Sequence, residues 1–215
     1  MPDAQLFFEA RDFLLAHRER YAEAYRDFRW PRLDRFNWAL DYFDVFATAN
    51  DRPALWLVND DRSELIRSYA EMAERSNRIA NLLRTLGARR GDRLLLMLST
   101  EAPIWETLLA AMKLGVVVVP TSTPLTVADP QDRLIRGAIR TVAPHPDCAT
   151  HSGHVSGPYS RLVTSGTAAG WTRFADGDDA SPYFVPDGET RATDPVLLYF
   201  TSGTTASPKL VLHTQ

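Results

Sequence analysis

The sequence has 215 residues, of which 45% are hydrophobic, so it can bury the core of one large domain or of two small ones. Its formal net charge of -3 and pI near 6.0 provide no basic surface that would bind a nucleic-acid backbone. It contains no run of about 18 apolar residues that could span a bilayer. We therefore expect it to bind neither nucleic acid nor a membrane.

The amino terminus and the cysteine content indicate a cytoplasmic protein. Acidic residues and arginines are interspersed among the first apolar residues, whereas a secretion signal has a basic head followed by an unbroken apolar run. Cys148 is the only cysteine in the sequence, so it cannot form an internal disulfide or a thiolate metal site. This cysteine usage is typical of a reducing compartment.

The first elements in chain order are predicted to be two helices and a hairpin. Apolar residues recur at helical spacing from Leu6 to Phe28, where Trp30 and Pro31 stop the pattern. A second helix is predicted from Trp38 to Ala49. The apolar run from Ala54 to Asn59 is typical of a strand, and the polar turn after it closes a hairpin onto residues 64–67.

The most regular helix is predicted from Tyr69 to Leu86. Ser68 precedes it as an N-cap, and Glu71 follows three residues later, which is the pattern of a capping box. Apolar residues then recur at intervals of three and four, as on the buried side of an amphipathic helix. Gly87 ends the pattern.

The next segments predict a strand, a helix and a second strand. Leu94 to Leu98 and Val116 to Val119 are continuous apolar runs, and the helix between them covers Ile104 to Leu114. Continuous apolarity indicates strands that are covered on both faces. Such a βαβ unit predicts an α/β fold, with β-sheet layers flanked by helices.

The second half of the chain is less regular until a final strand. We predict a helix from Asp129 to Arg140. The segment from Thr141 to Pro195 is rich in Pro, Gly, Ser, His and Asp, and we expect short strands in it around Ser160 to Val163. Val196 to Phe200 is another covered strand.

A hydroxyl-rich loop follows this strand directly and has the composition of an anion site. Serine and threonine hydroxyls and successive backbone N–H groups can donate to phosphate oxygens, Gly203 allows close approach, and Lys209 supplies a positive charge. A triphosphate is a natural ligand for such a loop. Its residues are Thr201, Ser202, Gly203, Thr204, Thr205, Ala206, Ser207, Pro208 and Lys209.

This loop has two other interpretations, a phosphate loop of the common glycine-rich type and a solvent loop. The common G-x-x-x-x-G-K-[ST] phosphate loop is disfavoured, because Pro208 stands in place of the second glycine and Leu210 in place of the metal-binding hydroxyl. A solvent loop of small residues is the alternative. Residues 164–170 repeat Thr-Ser-Gly-Thr without the Pro-Lys ending, and we predict an ordinary loop there. The tetrapeptide alone therefore does not distinguish an anion site from a solvent loop.

The segment LLYFTSGTTASPKLVLHT resembles the phosphate-binding signature of the adenylate-forming acyl-CoA synthetases. Upstream, FNWALDYFD, ALWLVND, GDRLLLMLS and PIWETLLAAMKLGVVVVPTST are similar, in order and spacing, to the front of the medium-chain acyl-CoA synthetase branch. The resemblance covers nearly the whole chain. It is weakest from Val142 to Gly157, where we expect the strand and helix of the family to be replaced.

The resemblance implies an ATP-dependent acid–thiol ligase that uses ATP, Mg²⁺ and coenzyme A. The cradle for the β- and γ-phosphates of ATP would then be Thr201, Ser202, Gly203, Thr204, Thr205 and Lys209. A carboxylate would attack the α-phosphorus, pyrophosphate would leave, and coenzyme A would displace AMP from the acyl-adenylate. A medium-chain fatty or aromatic acid is the implied substrate. Ala206 stands where the family usually has glycine.

We expect residues 1–215 to be the N-terminal part of an adenylation domain, ending just after the loop. In relatives the adenine and ribose contacts, the acyl pocket, the magnesium-binding glutamate and the adenylation lysine lie farther along, so we assign no catalytic residue here and expect no activity from this chain alone. Alternatives are half of a split enzyme with a complementary C-terminal chain, a non-catalytic binding module, or a gene remnant.

Three lesser candidates receive structural interpretations. His213 lies on an apolar segment and could orient a substrate, but a histidine beside a strand is more often structural. Lys113 lies late in a helix, where a cation favours the helix dipole. A zinc site would have His145, Cys148, His151 and His154 as ligands. It is disfavoured, because the spacing of these four residues matches no standard zinc finger.

Overall fold

The amino-terminal segment forms two helices rather than one. The computed structural model describes residues 2–97, 100–121, 133–144, 157–201 and 208–215. Helix α1 spans Pro2–Ala16 and helix α2 spans Tyr21–Asp27, so the single helix predicted from Leu6 to Phe28 was wrong. Arg20 has non-helical backbone angles (φ -122°, ψ 63°), and its side chain donates to the carbonyl of Ala16 at 3.1 Å. This contact satisfies a carbonyl at the end of α1, and Arg20 is the N-cap residue of α2.

The predicted second helix is present, with an unusual first half. Residues Trp38–Phe43 are π-helical, and α3 continues as Asp44–Ala47. The Asn37 side chain caps the start by accepting hydrogen bonds from two backbone N–H groups, those of Ala39 and Leu40. Asn37 is itself buried and also donates to the carbonyl of Met112 and to the hydroxyl of Thr190.

The hairpin and the capped helix are confirmed. Strands β1 (Pro53–Val58) and β2 (Glu64–Ser68) pair antiparallel in a separate two-stranded sheet. Helix α4 spans Tyr69–Thr85. The Glu71 N–H donates to the Ser68 hydroxyl at 3.1 Å, and the Ser68 N–H donates to the Glu71 carboxylate at 2.7 Å, which completes the capping box.

The βαβ unit is also confirmed and forms the centre of the main sheet. It consists of β3 (Arg93–Met97), α5 (Ala102–Leu114) and β4 (Val117–Pro120), and the two strands are parallel. The predicted α/β fold class is therefore correct: the main sheet is mostly parallel and is flanked by helices.

The remaining strands extend this sheet on both sides. They are β5 (Thr141–Pro144), β6 (Ser160–Val163), β7 (Thr172–Arg173), β8 (Pro195–Thr201) and β9 (Lys209–Thr214). The strand order is β7-β6-β5-β3-β4-β8-β9, and all neighbours are parallel except β8 and β9. A 3₁₀-helix covers Phe174–Asp179.

Two predictions in the second half need correction. The segment from Val142 to Gly157 was expected to lack a strand, but β5 is buried and pairs with β3 on one side and β6 on the other. The helix predicted from Asp129 to Arg140 is described only from residue 133, and its helical turn ends at 136. It ends there because Ala138 has a left-handed backbone (φ 46°).

Side chains of the central strands alternate between two apolar cores. Leu94, Leu96 and Val118 pack with α4 and α5, whereas Leu95 and Val119 pack on the opposite face with Ile139 and Leu198. Both faces of the sheet are thus covered, as the continuous apolar runs indicate. Within the described ranges, no helix combines the length and the apolarity needed to cross a bilayer.

Candidate functional site

The predicted anion loop lies at the tip of the hairpin formed by β8 and β9. The two strands are in register up to the pair Thr201 and Lys209, and the Thr201 hydroxyl donates to the Lys209 carbonyl at 3.4 Å. Lys209 is exposed and Pro208 is half-buried. The tip itself lies outside the described residues; it comprises Ser202, Gly203, Thr204, Thr205, Ala206 and Ser207.

The last pair of the hairpin strands, Thr201 and Lys209, lies at the carboxyl edge of the parallel sheet. Strand β8 ends at Thr201, and its parallel neighbour β4 ends at Pro120, directly before Thr121. In open α/β sheets, ligands bind in the crevice outside the carboxyl ends of the strands. The location is therefore the one at which an α/β protein places its ligand.

Two arginines from the helical turn at residues 133–136 pack against the root of the hairpin. The guanidinium carbons of Arg133 and Arg136 lie 4.8 and 5.6 Å from the centre of the Phe200 ring. Arg136 also donates to the carbonyl of Pro208 at 2.6 Å, and Arg133 donates to the hydroxyl of Thr121 at 3.1 Å. Together with Lys209, these groups concentrate positive charge at this edge.

A cavity of about 440 Å³ lies beside β8 on the side of α5. Its lining residues are mostly apolar, and the polar ones are Thr121, Arg133 and Tyr199; the apolar ones include Ile104, Leu108, Met112 and Leu197. A cavity of this size is in the range of small-molecule pockets. It adjoins the hairpin through Arg133, which touches both.

The other residues singled out in the sequence do not join this site. His213 is exposed on β9, and its ring lies 5.5 Å from that of Tyr199 in an edge contact. Residues 164–170 form a loop, as predicted. The four zinc candidates, His145, Cys148, His151 and His154, lie outside the described residues. Across the ranges that are described, no group of three or more His, Cys, Asp or Glu residues could hold a metal ion.

Lys113 is placed in the core. It lies in the last turn of α5, as predicted, and the side chain is fully buried, with its ammonium in contact with groups from two other helices. The ammonium lies 2.7 Å from the Asp44 carboxylate, and it donates to the Asn77 side chain at 2.7 Å and to the Ala73 carbonyl at 3.2 Å. Burial lowers the pKa of Lys113, while the Asp44 carboxylate opposes this effect; burial also raises the pKa of Asp44 against the opposing effect of Lys113.

Sequence reasoning missed the arginines of the 133–136 turn. Arg133 and Arg136 are spaced like any solvated helical pair, and they stand more than 60 positions before Phe200 and Pro208 in the sequence. The short run RLIRG carries no local sign of these contacts. Only the strand order, which puts β8 beside β4, brings the turn to the hairpin.

The mostly parallel sheet and its flanking helices define an α/β protein. The family model for the AMP-binding enzyme family matches residues 43–215. The chain belongs to this family.

Relatives with known names agree with this assignment. The chain is 32% identical over 197 residues to the acyl-coenzyme A synthetase ACSM5, mitochondrial, of Rattus norvegicus, a match that covers 86% of this chain and 34% of the relative. It is 32% identical over 193 residues to the 4-hydroxybutyrate–CoA ligase 1 of Metallosphaera sedula, covering 85% and 32%. The chain therefore spans about a third of the length of the curated relatives that it matches.

Solved structures show the same fold. The benzoate CoA ligase of Burkholderia xenovorans LB400 matches with a TM-score of 0.68 at 27% identity, over 83% of this chain and 34% of that one. The anthranilate CoA ligase AuaEII, solved in complex with anthranoyl-AMP, matches with a TM-score of 0.71 at 21% identity, over 84% and 35%. At that lower identity the second match supports the fold alone.

Proposed function

We propose that residues 1–215 form the N-terminal part of the adenylation domain of an ATP-dependent, AMP-forming carboxylic acid–CoA ligase, and that Thr201 to Lys209 hold the phosphates of ATP. The observation that carries this proposal is the position of the hairpin between β8 and β9. The two residues that flank the hydroxyl-rich segment, Thr201 and Lys209, pair where β8 ends at the carboxyl edge of a parallel sheet, in a chain of the AMP-binding enzyme family.

In the proposed reaction the loop acts on the leaving group. An oxygen of the substrate carboxylate attacks the α-phosphorus of ATP, the bond from that phosphorus to the bridging oxygen breaks, and pyrophosphate leaves. The loop hydroxyls and the Lys209 ammonium would stabilise the charge on the departing phosphates, a contribution whose loss typically costs about 10²-fold in rate. The thiol of coenzyme A then attacks the acyl carbon and displaces AMP.

The proposed substrate is a medium-chain fatty acid or an aromatic carboxylic acid. Support comes from the names of the relatives, which include acyl-coenzyme A synthetases, a 4-hydroxybutyrate–CoA ligase and a benzoate CoA ligase. A carboxylate is common to all of these substrates. The cytoplasmic location expected from the sequence is likewise a proposal, and the rat relative carries the name of a mitochondrial protein.

Mg²⁺ is implied by the family and has no ligand set in the part of the chain that the structure describes. The described residues of the loop offer a hydroxyl, a proline carbonyl and an ammonium, and none of these is a carboxylate. We therefore assign no residue of this chain to Mg²⁺ and derive no step through it.

Exchange of labelled pyrophosphate into ATP tests the proposal, because it reports the adenylation step alone. The complete gene product that carries this chain should catalyse the exchange only when a carboxylic acid is present, and Lys209→Ala should slow it by about 10²-fold. Arg62→Ala, on the turn between β1 and β2, is the control and should leave the rate unchanged. A Lys209→Ala variant that exchanges at the wild-type rate would refute the assigned role of the loop.

A partner that completes the domain is favoured by one further observation. Strand β9 is at the edge of the described sheet, and Leu210, Val211 and Leu212 are 36, 39 and 53% exposed. Exposed edges with apolar side chains are sites of pairing. We propose that additional polypeptide, in the same chain or in a complementary C-terminal one, covers β9, and we expect the 215-residue chain alone to form no acyl-CoA.

A further inference from the structure

The entry to the hairpin loop is held by stacked arginines. Phe200 is half-buried and comes directly before Thr201, and the guanidinium groups of Arg133 and Arg136 both lie within 6 Å of its ring centre, at 4.8 and 5.6 Å. A guanidinium within about 6 Å of an aromatic ring centre is attracted electrostatically to the face of the ring. Two such contacts restrict the Phe200 side chain and thus the strand that leads into the loop.

The exit from the loop is held by the same helical turn. Arg136 donates to the carbonyl of Pro208 at 2.6 Å, and Pro208 immediately precedes Lys209. This is a charge-assisted hydrogen bond, which is roughly twice as strong as a neutral one. The Arg136 side chain therefore contacts both ends of the loop: the Phe200 ring before it and the backbone next to Lys209 after it.

The helical turn is itself fixed to the sheet. Arg133 donates to the Thr121 hydroxyl at the carboxyl end of β4, and Arg93 of β3 donates to the Gly137 carbonyl at 2.9 Å, just after the turn. The turn is thus bonded to β3 and to the end of β4, and its arginines contact both ends of the loop.

We infer that Arg133 and Arg136 are positioning residues for the ATP phosphates: by holding Phe200 and the Pro208 carbonyl, they set where the Lys209 ammonium lies. This inference rests on the proposed function of the loop. Arginine suits the role because its planar group can stack on a ring and donate in its own plane at the same time, which the compact ammonium of lysine cannot do.

The two arginines act through the loop rather than on ATP. Their contacts with protein groups include the Phe200 ring, the Thr121 hydroxyl and the Pro208 carbonyl. Misplacing a charged group at a reacting centre by about 1 Å can cost 10²-fold, so loosening the loop affects the chemistry without removing a ligand.

The chain offers a closely matched control for this arrangement. Arg84 stacks on Phe184 at 4.6 Å and donates to the carbonyl of Val185 at 2.7 Å, so it also holds an aromatic residue and a loop carbonyl. The Arg84 side chain contacts Asn81, Phe184, Val185 and Asp187, and none of these is Phe200, Pro208 or Lys209. Arg84→Ala therefore removes the same kinds of contact at a place where no ATP phosphate is proposed.

Steady-state kinetics of the complete gene product test the inference. Arg136→Ala and Phe200→Leu should each raise the KM for ATP by about 10-fold or more, while the KM for the carboxylic acid stays the same. Phe200→Tyr keeps the ring and should retain the wild-type KM, and Arg136→Lys should recover only part of the loss. Arg84→Ala should leave the KM for ATP unchanged.

The outcomes separate this inference from the proposed function. If Lys209→Ala impairs ATP use while Arg136→Ala and Phe200→Leu match Arg84→Ala, the positioning role is wrong and the phosphate loop stands. If Lys209→Ala has no effect, both are wrong. Should Arg136→Ala fail to fold, the comparison of Phe200→Leu with Phe200→Tyr decides, and equal KM values for these two variants would overturn the inference.

Discussion

At the scale of single residues, the two lysines of the sequence have opposite environments. Lys113 is completely buried between α5, α3 and α4, whereas Lys209 is exposed at the end of the hairpin loop. The ammonium of Lys113 reaches Asp44 on α3 and two acceptors on α4. Removing one partner of a buried ion pair leaves the other charge uncompensated, which is strongly destabilising.

We predict that Lys113→Ala lowers the free energy of unfolding by about 2 to 4 kcal/mol, through the cavity and the unpaired Asp44 carboxylate, which is partly open to solvent. Lys209→Ala should change it by about 0.5 kcal/mol or less, because that side chain is exposed. Urea unfolding of the 215-residue chain measures both values. Equal losses for the two variants would contradict the buried role of Lys113.

The same ion pair predicts a pH dependence of stability. Burial lowers the pKa of Lys113 below the usual lysine value of 10.5 and raises the pKa of Asp44 above the usual aspartate value of 3.8. Between the lowered pKa and 10.5, the unfolded chain binds more protons than the folded chain, so stability rises with pH. Between 3.8 and the raised pKa of Asp44, the folded chain binds more protons, so stability falls as pH rises.

The contribution of the pair is therefore least favourable between the raised pKa of Asp44 and the lowered pKa of Lys113. We expect the stability of the wild-type chain, relative to the double variant Asp44→Asn with Lys113→Met, to be lowest in that interval, to increase as the pH rises toward 10.5 and to increase as the pH falls toward 3.8. Denaturant unfolding of both chains at a series of pH values checks this. A difference that does not vary with pH would show that neither pKa is shifted by folding.

At the scale of elements, local signals were sufficient where an element carries its own cap or is covered on both faces. The Ser68 and Glu71 capping box predicts the start of α4. Strands β3 and β4 could be predicted because a strand that is covered on both faces has a continuous apolar sequence. The break between α1 and α2 was missed, because it depends on Arg20 capping Ala16 rather than on a Gly or Pro.

Strand β5 shows the opposite case. Thr141–Pro144 has only four residues and ends in proline, and it forms a strand because β3 and β6 pair with it from both sides. That pairing joins residues far apart in the sequence and leaves no local pattern. For the same reason the loop from Thr201 to Lys209 could be singled out from its residues, whereas the Arg133 and Arg136 contacts at its root could not.

Strand β9 gives the prediction at this scale. Leu212 is 53% exposed on the edge strand, so apolar surface and unpaired backbone groups meet at one place. We expect the isolated 215-residue chain to self-associate through β9, and Leu212→Lys to reduce this association, since charged residues on edge strands oppose pairing. Sedimentation velocity at several concentrations measures it; identical association of the two chains would exclude β9 as the contact.

At the scale of the whole molecule, the strand order brings distant segments to one edge of the sheet. Strand β8 pairs with β4 although about 75 residues separate them, and this pairing places Thr121, the 133–136 turn and the hairpin together. Ligands of open α/β sheets bind at the carboxyl ends of the strands, and the described cations converge there. The proposed ATP site thus follows from topology as well as from the loop residues.

The central claim is that the hairpin loop holds the β- and γ-phosphates of ATP, and calorimetric titration of the complete gene product with ATP and with AMP tests it most directly. Lys209→Ala should weaken ATP binding by about 10-fold or more, the value of a hydrogen bond to a charged group, and should leave AMP binding unchanged. Equal weakening for ATP and AMP, or none for either, would contradict the claim.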